Sequence, residues 1–166
     1  MRESDLEQLY ARLERPLVNV VYRWLWSMDE AQDVVQEAFV RLWRMRARVE
    51  LETVEPLIYR IAINLASSRR RSRRLWRWVS LDAIRDQAGG ERPADETLEA
   101  RDDRAELRAA VERLPKDLRA VAVLTELSDL TYPQIGEVLS IPAGTVGSRR
   151  NRALKRLREI LGEPRR

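Results

Sequence analysis

The spacing of apolar residues constrains this chain more than any other feature. From Leu6 to Trp26, the side chains of Leu6, Leu9, Tyr10, Leu13, Leu17, Val20, Val21, Trp24 and Leu25 recur in steps of three and four, interrupted only near Pro16. That period lays them along one stripe of an α-helix. It returns in Val34, Val35, Ala38, Phe39, Leu42 and Trp43, again in Leu57, Ile58, Ile61, Ala62 and Leu65, and after residue 103 in Leu107, Ala110, Val111 and Leu114 and in Leu118, Val121, Ala122 and Leu124. The expected fold class is all-α.

Punctuation residues set the helix ends. Asp29 reads as the N-cap of the second helix, Arg44 to Glu55 as a loop, and Pro56 as the opening of the third. Near the C-terminus, Thr131-Tyr132-Pro133 reads as an N-cap with Pro in the first turn, and Ile135, Val138 and Leu139 face inward. Gly136 is small where two helices would cross closely. Ser140-Ile141-Pro142 then breaks the chain, and a new helix begins around Ala143-Gly144-Thr145 with Val146 inward. This is a helix-turn-helix pattern.

Charge divides the chain the same way. Residues 79–103, with Gly89-Gly90 and Pro93, are acidic and lack periodicity, whereas the segments on either side carry an excess of Arg. We therefore expect two small helical domains, 1–78 and 104–166, joined by an acidic flexible linker over 79–103. The stretch from Ser67 to Trp78 holds six Arg and no acid. Arg suits bidentate contacts to phosphate and guanine, so both basic ends are candidate nucleic-acid surfaces. In the C-terminal helix Thr145, Ser148, Arg149 and Asn151 are placed to meet base edges, and Arg152, Lys155 and later basic residues to reach phosphates.

Composition excludes other classes. The chain has no Cys and no His, which removes disulfides, thiolate metal sites, the commonest metal ligand and the usual general base. Neither a cofactor nor a metal site is expected. The acidic, amphipathic start lacks the basic and apolar regions of a signal peptide, and no window approaches a membrane span, so the expectation is a cytoplasmic protein with no membrane insertion.

Three stretches, in this order, carry a family resemblance: Asp33-Val34-Val35-Gln36-Glu37-Ala38-Phe39-Val40-Arg41-Leu42-Trp43, then Tyr59-Arg60-Ile61-Ala62-Ile63-Asn64-Leu65-Ala66, then Leu114-Pro115 through Gly144-Thr145-Val146 with Ser148-Arg149. The chain resembles the extracytoplasmic-function (ECF) sigma factors of bacterial RNA polymerase, of the sigma-70 family. The resemblance implies a region 2-like N-terminal bundle and a region 4-like C-terminal helix-turn-helix, and a protein that is no enzyme: it binds polymerase core and directs promoter-specific initiation. It implies that Asp33, Gln36, Glu37, Val40 and Arg41 contact the core enzyme through the clamp of the β′ subunit, with the flap of the β subunit as a second contact. It implies −10 recognition by Asn64, with Arg60, Arg69, Arg70, Arg71, Arg73 and Arg74 on the DNA, and −35 recognition by Thr145, Ser148, Arg149, Asn151, Arg152 and Lys155. An anti-sigma partner is also implied. Trp76 and Trp78, beside the linker, read as packing residues.

The chain departs from the family pattern at Gly147, where Lys or Arg is usual, and at Arg150, where Leu is usual. Arg150 then either runs its stem along the core or marks a rotated helix. Leu57 and Ser68 stand for a frequent Trp and Asp. Two other readings compete. One is a stand-alone helix-turn-helix regulator on a two-fold operator. The other is a metal-dependent nucleic-acid enzyme using Asp29, Asp33 and Glu37 on one helix face.

Overall fold

In a computed structural model of the chain the described residues are 1–79 and 98–162, with side chains at 1–74 and 102–162. Among them are seven α-helices, one short 3-10 turn and no strand, as the apolar spacing requires. Two compact units emerge, Met1–Glu91 and Arg92–Arg166. Most of the stretch read as a linker, and the side chains of Trp76 and Trp78, lie outside the described residues. One helix begins at Leu98, inside that stretch.

The first unit packs α1 (Glu3–Leu25), α2 (Met28–Arg44) and α3 (Val54–Val79) against one another, with the 3-10 turn at Arg46–Arg48 between the last two. Helix α1 runs unbroken through Pro16, although a proline in a helix interior costs about 3 kcal/mol. Burial of Leu9, Leu13, Leu17, Val20, Val21, Trp24 and Leu25 on its inner stripe outweighs that loss, at about 1.5–3 kcal/mol for each large apolar side chain. Tyr59 and Ile58 of α3 and Leu42, Val34 and Val35 of α2 complete the core, all fully buried. Arg12 Nη1 donates to Glu55 Oε2 at 2.9 Å, tying α1 to the first turn of α3.

The N-cap of α2 is Ser27 rather than Asp29. Trp26 closes α1 in the left-handed region at φ 54°, which leaves Ser27 extended, and its side chain accepts from the Glu30 N–H at 3.4 Å. Asp29 stands inside the first turn, where the helix dipole still favours its charge. Helix α3 begins two residues before Pro56, so the proline occupies the first turn, where its missing N–H is not needed.

The second unit holds α4 (Leu98–Arg113), α5 (Lys116–Leu127), α6 (Tyr132–Leu139) and α7 (Ala143–Leu161). Leu114, Leu118, Ala122 and Ala153 form a buried cluster with Leu157 packed against it, fixing α5 on α7. Arg119 is 6% exposed, and its Nη2 donates to the carbonyls of Glu112 (2.5 Å) and Leu114 (3.0 Å). Those carbonyls end α4 and lack helical partners, so one buried guanidinium closes the α4–α5 corner. Thr131 caps α6 as expected, in a capping box with Gln134: the Thr131 N–H donates to Gln134 Oε1 at 2.8 Å and the Gln134 N–H to Thr131 Oγ1 at 3.5 Å.

Gly136 answers to the turn rather than to a helix crossing. Ser140 adopts φ 56°, the Ile141 N–H folds back onto the Gly136 carbonyl at 2.9 Å, and a Cβ on Gly136 would lie 2.6 Å from the Ile141 carbonyl oxygen. The turn closes only over a hydrogen atom. It delivers α7 from Ala143 onward, with Val146 fully buried against the core.

Candidate nucleic-acid interface

Helix α3 carries most of the N-terminal basic tract, and helical geometry divides it. At about 100° per residue, Arg60, Asn64, Ser67, Arg71 and Arg74 fall within roughly 40° of one line, and Arg69 and Arg73 project from the opposite side. The contacts follow that division. Arg69 bridges two carboxylates of α2, with Nη1 3.8 Å from Asp33 Oδ2 and Nη2 3.4 Å from Glu37 Oε2. Arg73 donates to Glu30 Oε2 and, at 3.3 Å, to the Leu25 carbonyl. Glu30, Glu37, Arg69 and Arg73 line a groove of about 420 Å³ between α2 and α3, with Leu65, Ser68 and Ser72.

The other face is open. Arg60, Asn64, Arg71 and Arg74 are exposed and Arg70 is half-buried. Among the described residues Arg71 has one weak neighbour, Ser68 Oγ at 3.5 Å. The Asn64 carboxamide makes no hydrogen bond with any of them, so it does not serve the helix backbone, the usual fate of a mid-helix Asn. A row of guanidiniums around one unengaged carboxamide can bind phosphates and present paired donors and acceptors to a base.

On α2, Asp33, Gln36, Val40 and Arg41 are exposed and Glu37 is half-buried. Arg41 donates to Glu37 Oε1 through Nε (3.1 Å) and Nη2 (2.7 Å). Val40, 48% exposed, sits between these polar groups. Farther along, the Arg46 guanidinium lies 3.9 Å over the Trp43 ring. No group of three acidic residues among those described is placed to hold a metal ion, and Asp33 and Glu37 are engaged by Arg69.

Helix α7 sorts its residues as α3 does. Ser148, Asn151, Arg152 and Lys155 lie exposed on its outer stripe, with Thr145 half-buried at the edge. Arg149 turns toward α5, its Nε 3.6 Å from Asp117 Oδ2. Arg150 bonds Glu126 at the end of α5, through Nε at 2.9 Å and Nη2 at 2.7 Å. The hydrogen bond and charge of Glu126 raise the Arg150 proton affinity above its already high ordinary value. The charge near the inner face therefore has its own counter-ion. Gly147 lies beneath Tyr132, where an added Cβ would meet the ring edge at 3.4 Å.

Sequence reasoning missed the partners of these arginines: Glu30, Asp117 and Glu126. No helix among the described residues is long and apolar enough to cross a membrane.

Two family models match the chain, Sigma-70 region 2 over residues 9–75 and Sigma-70 region 4 over residues 104–157. The ECF RNA polymerase sigma factor SigE of Mycolicibacterium smegmatis is 34% identical over 146 residues, 87% of this chain and 56% of that protein. The ECF RNA polymerase sigma-E factor of Escherichia coli K12 is 33% identical over 154 residues, 87% of this chain and 80% of that protein. Among solved structures, the sigma factor RpoE of Bartonella quintana, in complex with the anti-sigma factor NepR, superposes with a TM-score of 0.78 at 22% identity, covering 98% of this chain and 99% of that one. That last likeness speaks for the fold alone.

Proposed function

Because the chain belongs to the ECF sigma factors of bacterial RNA polymerase, we propose that it binds core polymerase and directs promoter-specific initiation, with its three exposed polar faces dividing the work. The α2 face, Asp33, Gln36, Glu37, Val40 and Arg41, meets the clamp of the β′ subunit, where an apolar side chain ringed by ordered polar groups suits an interface. The α3 stripe of Arg60, Asn64, Arg71 and Arg74 takes the melted −10 strand. The outer stripe of α7, Ser148, Asn151, Arg152 and Lys155 with Thr145 and Arg149 at its edge, reads the −35 duplex. The domains run 1–78 and 104–166, and the linker between them gives way to α4 at Leu98. The protein works in the cytoplasm, is itself no enzyme, and has an anti-sigma partner, in keeping with the complex formed by its structural relative.

The observation that carries this reading is the sorting of α3: the arginines facing α2 carry carboxylate partners, whereas those beside Asn64 are left to solvent. The test mixes the full chain with bacterial core polymerase and promoter-bearing genomic fragments, then maps transcript starts. Specific starts that require both components support the reading. Failure to co-purify with polymerase, together with unaided binding to a two-fold site, would establish the stand-alone regulator instead.

A further inference from the structure

Arg149 and Arg150 are adjacent on α7 and both face carboxylates of α5, yet they are held differently. Glu126 takes two guanidinium nitrogens of Arg150 within hydrogen-bonding distance. Asp117 stands 3.6 Å from the Nε of Arg149, an ion pair too long for a hydrogen bond. The Arg149 Nε is buried and makes no hydrogen bond, and none of its other donors is engaged among the described residues. Arg149 is thus oriented by charge while its terminal donors stay available.

The carboxylate itself is well placed. Asp117 lies in the first turn of α5, where the helix dipole favours its ionised form. Its neighbour Leu118 is buried in the cluster containing Ala153, one turn beyond Arg149 on α7. The packing that joins α5 to α7 therefore also fixes Asp117 beside Arg149. With the side chain 26% exposed, the guanidinium has lost much of its rotational freedom before any DNA arrives, and a pre-oriented fork loses less entropy on binding a base edge.

We infer that Asp117 is a positioning residue for −35 reading: it aims the Arg149 fork at the paired acceptors of a guanine edge, and so sets base preference at one promoter position without touching DNA. This rests on the reading of α7 as the duplex-reading helix. A carboxylate facing DNA also repels phosphate, so Asp117 lowers affinity for arbitrary duplex while sharpening the choice at that position.

The test selects duplexes randomised across the −35 region with the reconstituted holoenzyme, comparing wild type, Asp117→Asn, Asp117→Glu, Arg149→Ala and the double variant Asp117→Asn with Arg149→Ala. A bidentate Arg contact discriminates by roughly 5- to 150-fold. The inference expects Arg149→Ala to abolish preference at one base pair and Asp117→Asn to reduce it there to a few-fold. Asp117→Glu should restore part of it, and the double variant should match Arg149→Ala. Asp117→Asn should also bind unrelated duplex more tightly, with only a small loss of thermal stability. If Asp117→Asn keeps full preference at the Arg149 position, or loses preference elsewhere, the inference is overturned. If Arg149→Ala alters no position, Arg149 is not a reader and the inference falls with it. A wild-type holoenzyme that enriches no base pair at all would instead overturn the underlying reading of α7.

Discussion

Replacing Gly136 with Ala tests whether the helix-turn-helix corner is built as described. The new Cβ would stand 2.6 Å from the Ile141 carbonyl oxygen, and carbon and oxygen meet comfortably only near about 3.3 Å. The turn must open by roughly 0.7 Å, which stretches the 2.9 Å bond from the Ile141 N–H to the Gly136 carbonyl. Overpacking of this kind costs about 1–3 kcal/mol, and a weakened hydrogen bond adds up to about 1 kcal/mol. Against this, Ala gains about 1 kcal/mol over Gly in a helix interior. The terms sum to a net loss of about 0–3 kcal/mol, centred on about 1.5 kcal/mol, which lowers the melting midpoint of a unit this small by roughly 5–12 °C. All five tryptophans precede Val79, so their fluorescence reports the N-terminal unit, and far-UV circular dichroism of the full chain adds the rest. The shift should appear in the dichroism and spare the tryptophan signal. Gly144→Ala, with nothing within 4 Å of the new Cβ, and Gly147→Ala, at ordinary contact distance from Tyr132, should melt at or above the parent. A Gly136→Ala protein that is as stable as the parent would refute the close approach.

On single-stranded −10 DNA bound by holoenzyme, Arg71→Ala and Arg74→Ala should each reduce the salt slope by about 0.7, and Arg73→Ala should leave it unchanged while costing less than about 1 kcal/mol of stability; equal slopes for all three would deny the two-faced α3. Asn64→Ala should retain binding to closed duplex promoter but reduce permanganate reactivity of thymines in the −10 region, and undiminished reactivity would remove Asn64 from base capture. Glu126→Gln should release Arg150 and increase the salt slope on duplex DNA by up to about 0.9, whereas an unchanged slope would show that Arg150 stays off DNA without its partner.

The fold was legible wherever packing set the pattern. Apolar stripes at helical spacing located α1 to α3 and α5 to α7, because burying one face is what fixes a helix in a protein this size. End signals were weaker. Asp29 and Ser27 are both good caps, and the choice fell to Ser27 because Trp26 turns left-handed just before it, a conformation that no propensity assigns to Trp. Ser140 takes the same conformation at the end of α6, where Gly would be the usual resident. Pro16 interrupts the stripe without ending the helix, since a local breaker yields to a long buried stripe.

The candidate site was legible as a set of side chains and illegible as a set of pairs. Counted along the chain, Arg69 to Arg74 form one basic tract; turned through about 100° per residue, Arg69 and Arg73 separate from Arg71 and Arg74. The helical period alone carries that division. The identity of the partners has no such signal: Glu30, Asp33 and Glu37 face α3 only because α2 packs on it, and Asp117 and Glu126 face α7 only because Leu118 and Ala122 seat α5 there. Each exposed pair contributes at most about 1 kcal/mol to stability, too little for a sequence pattern tuned to burial to register. Charge pairing across packed helices thus decides which arginines of this chain remain available to DNA.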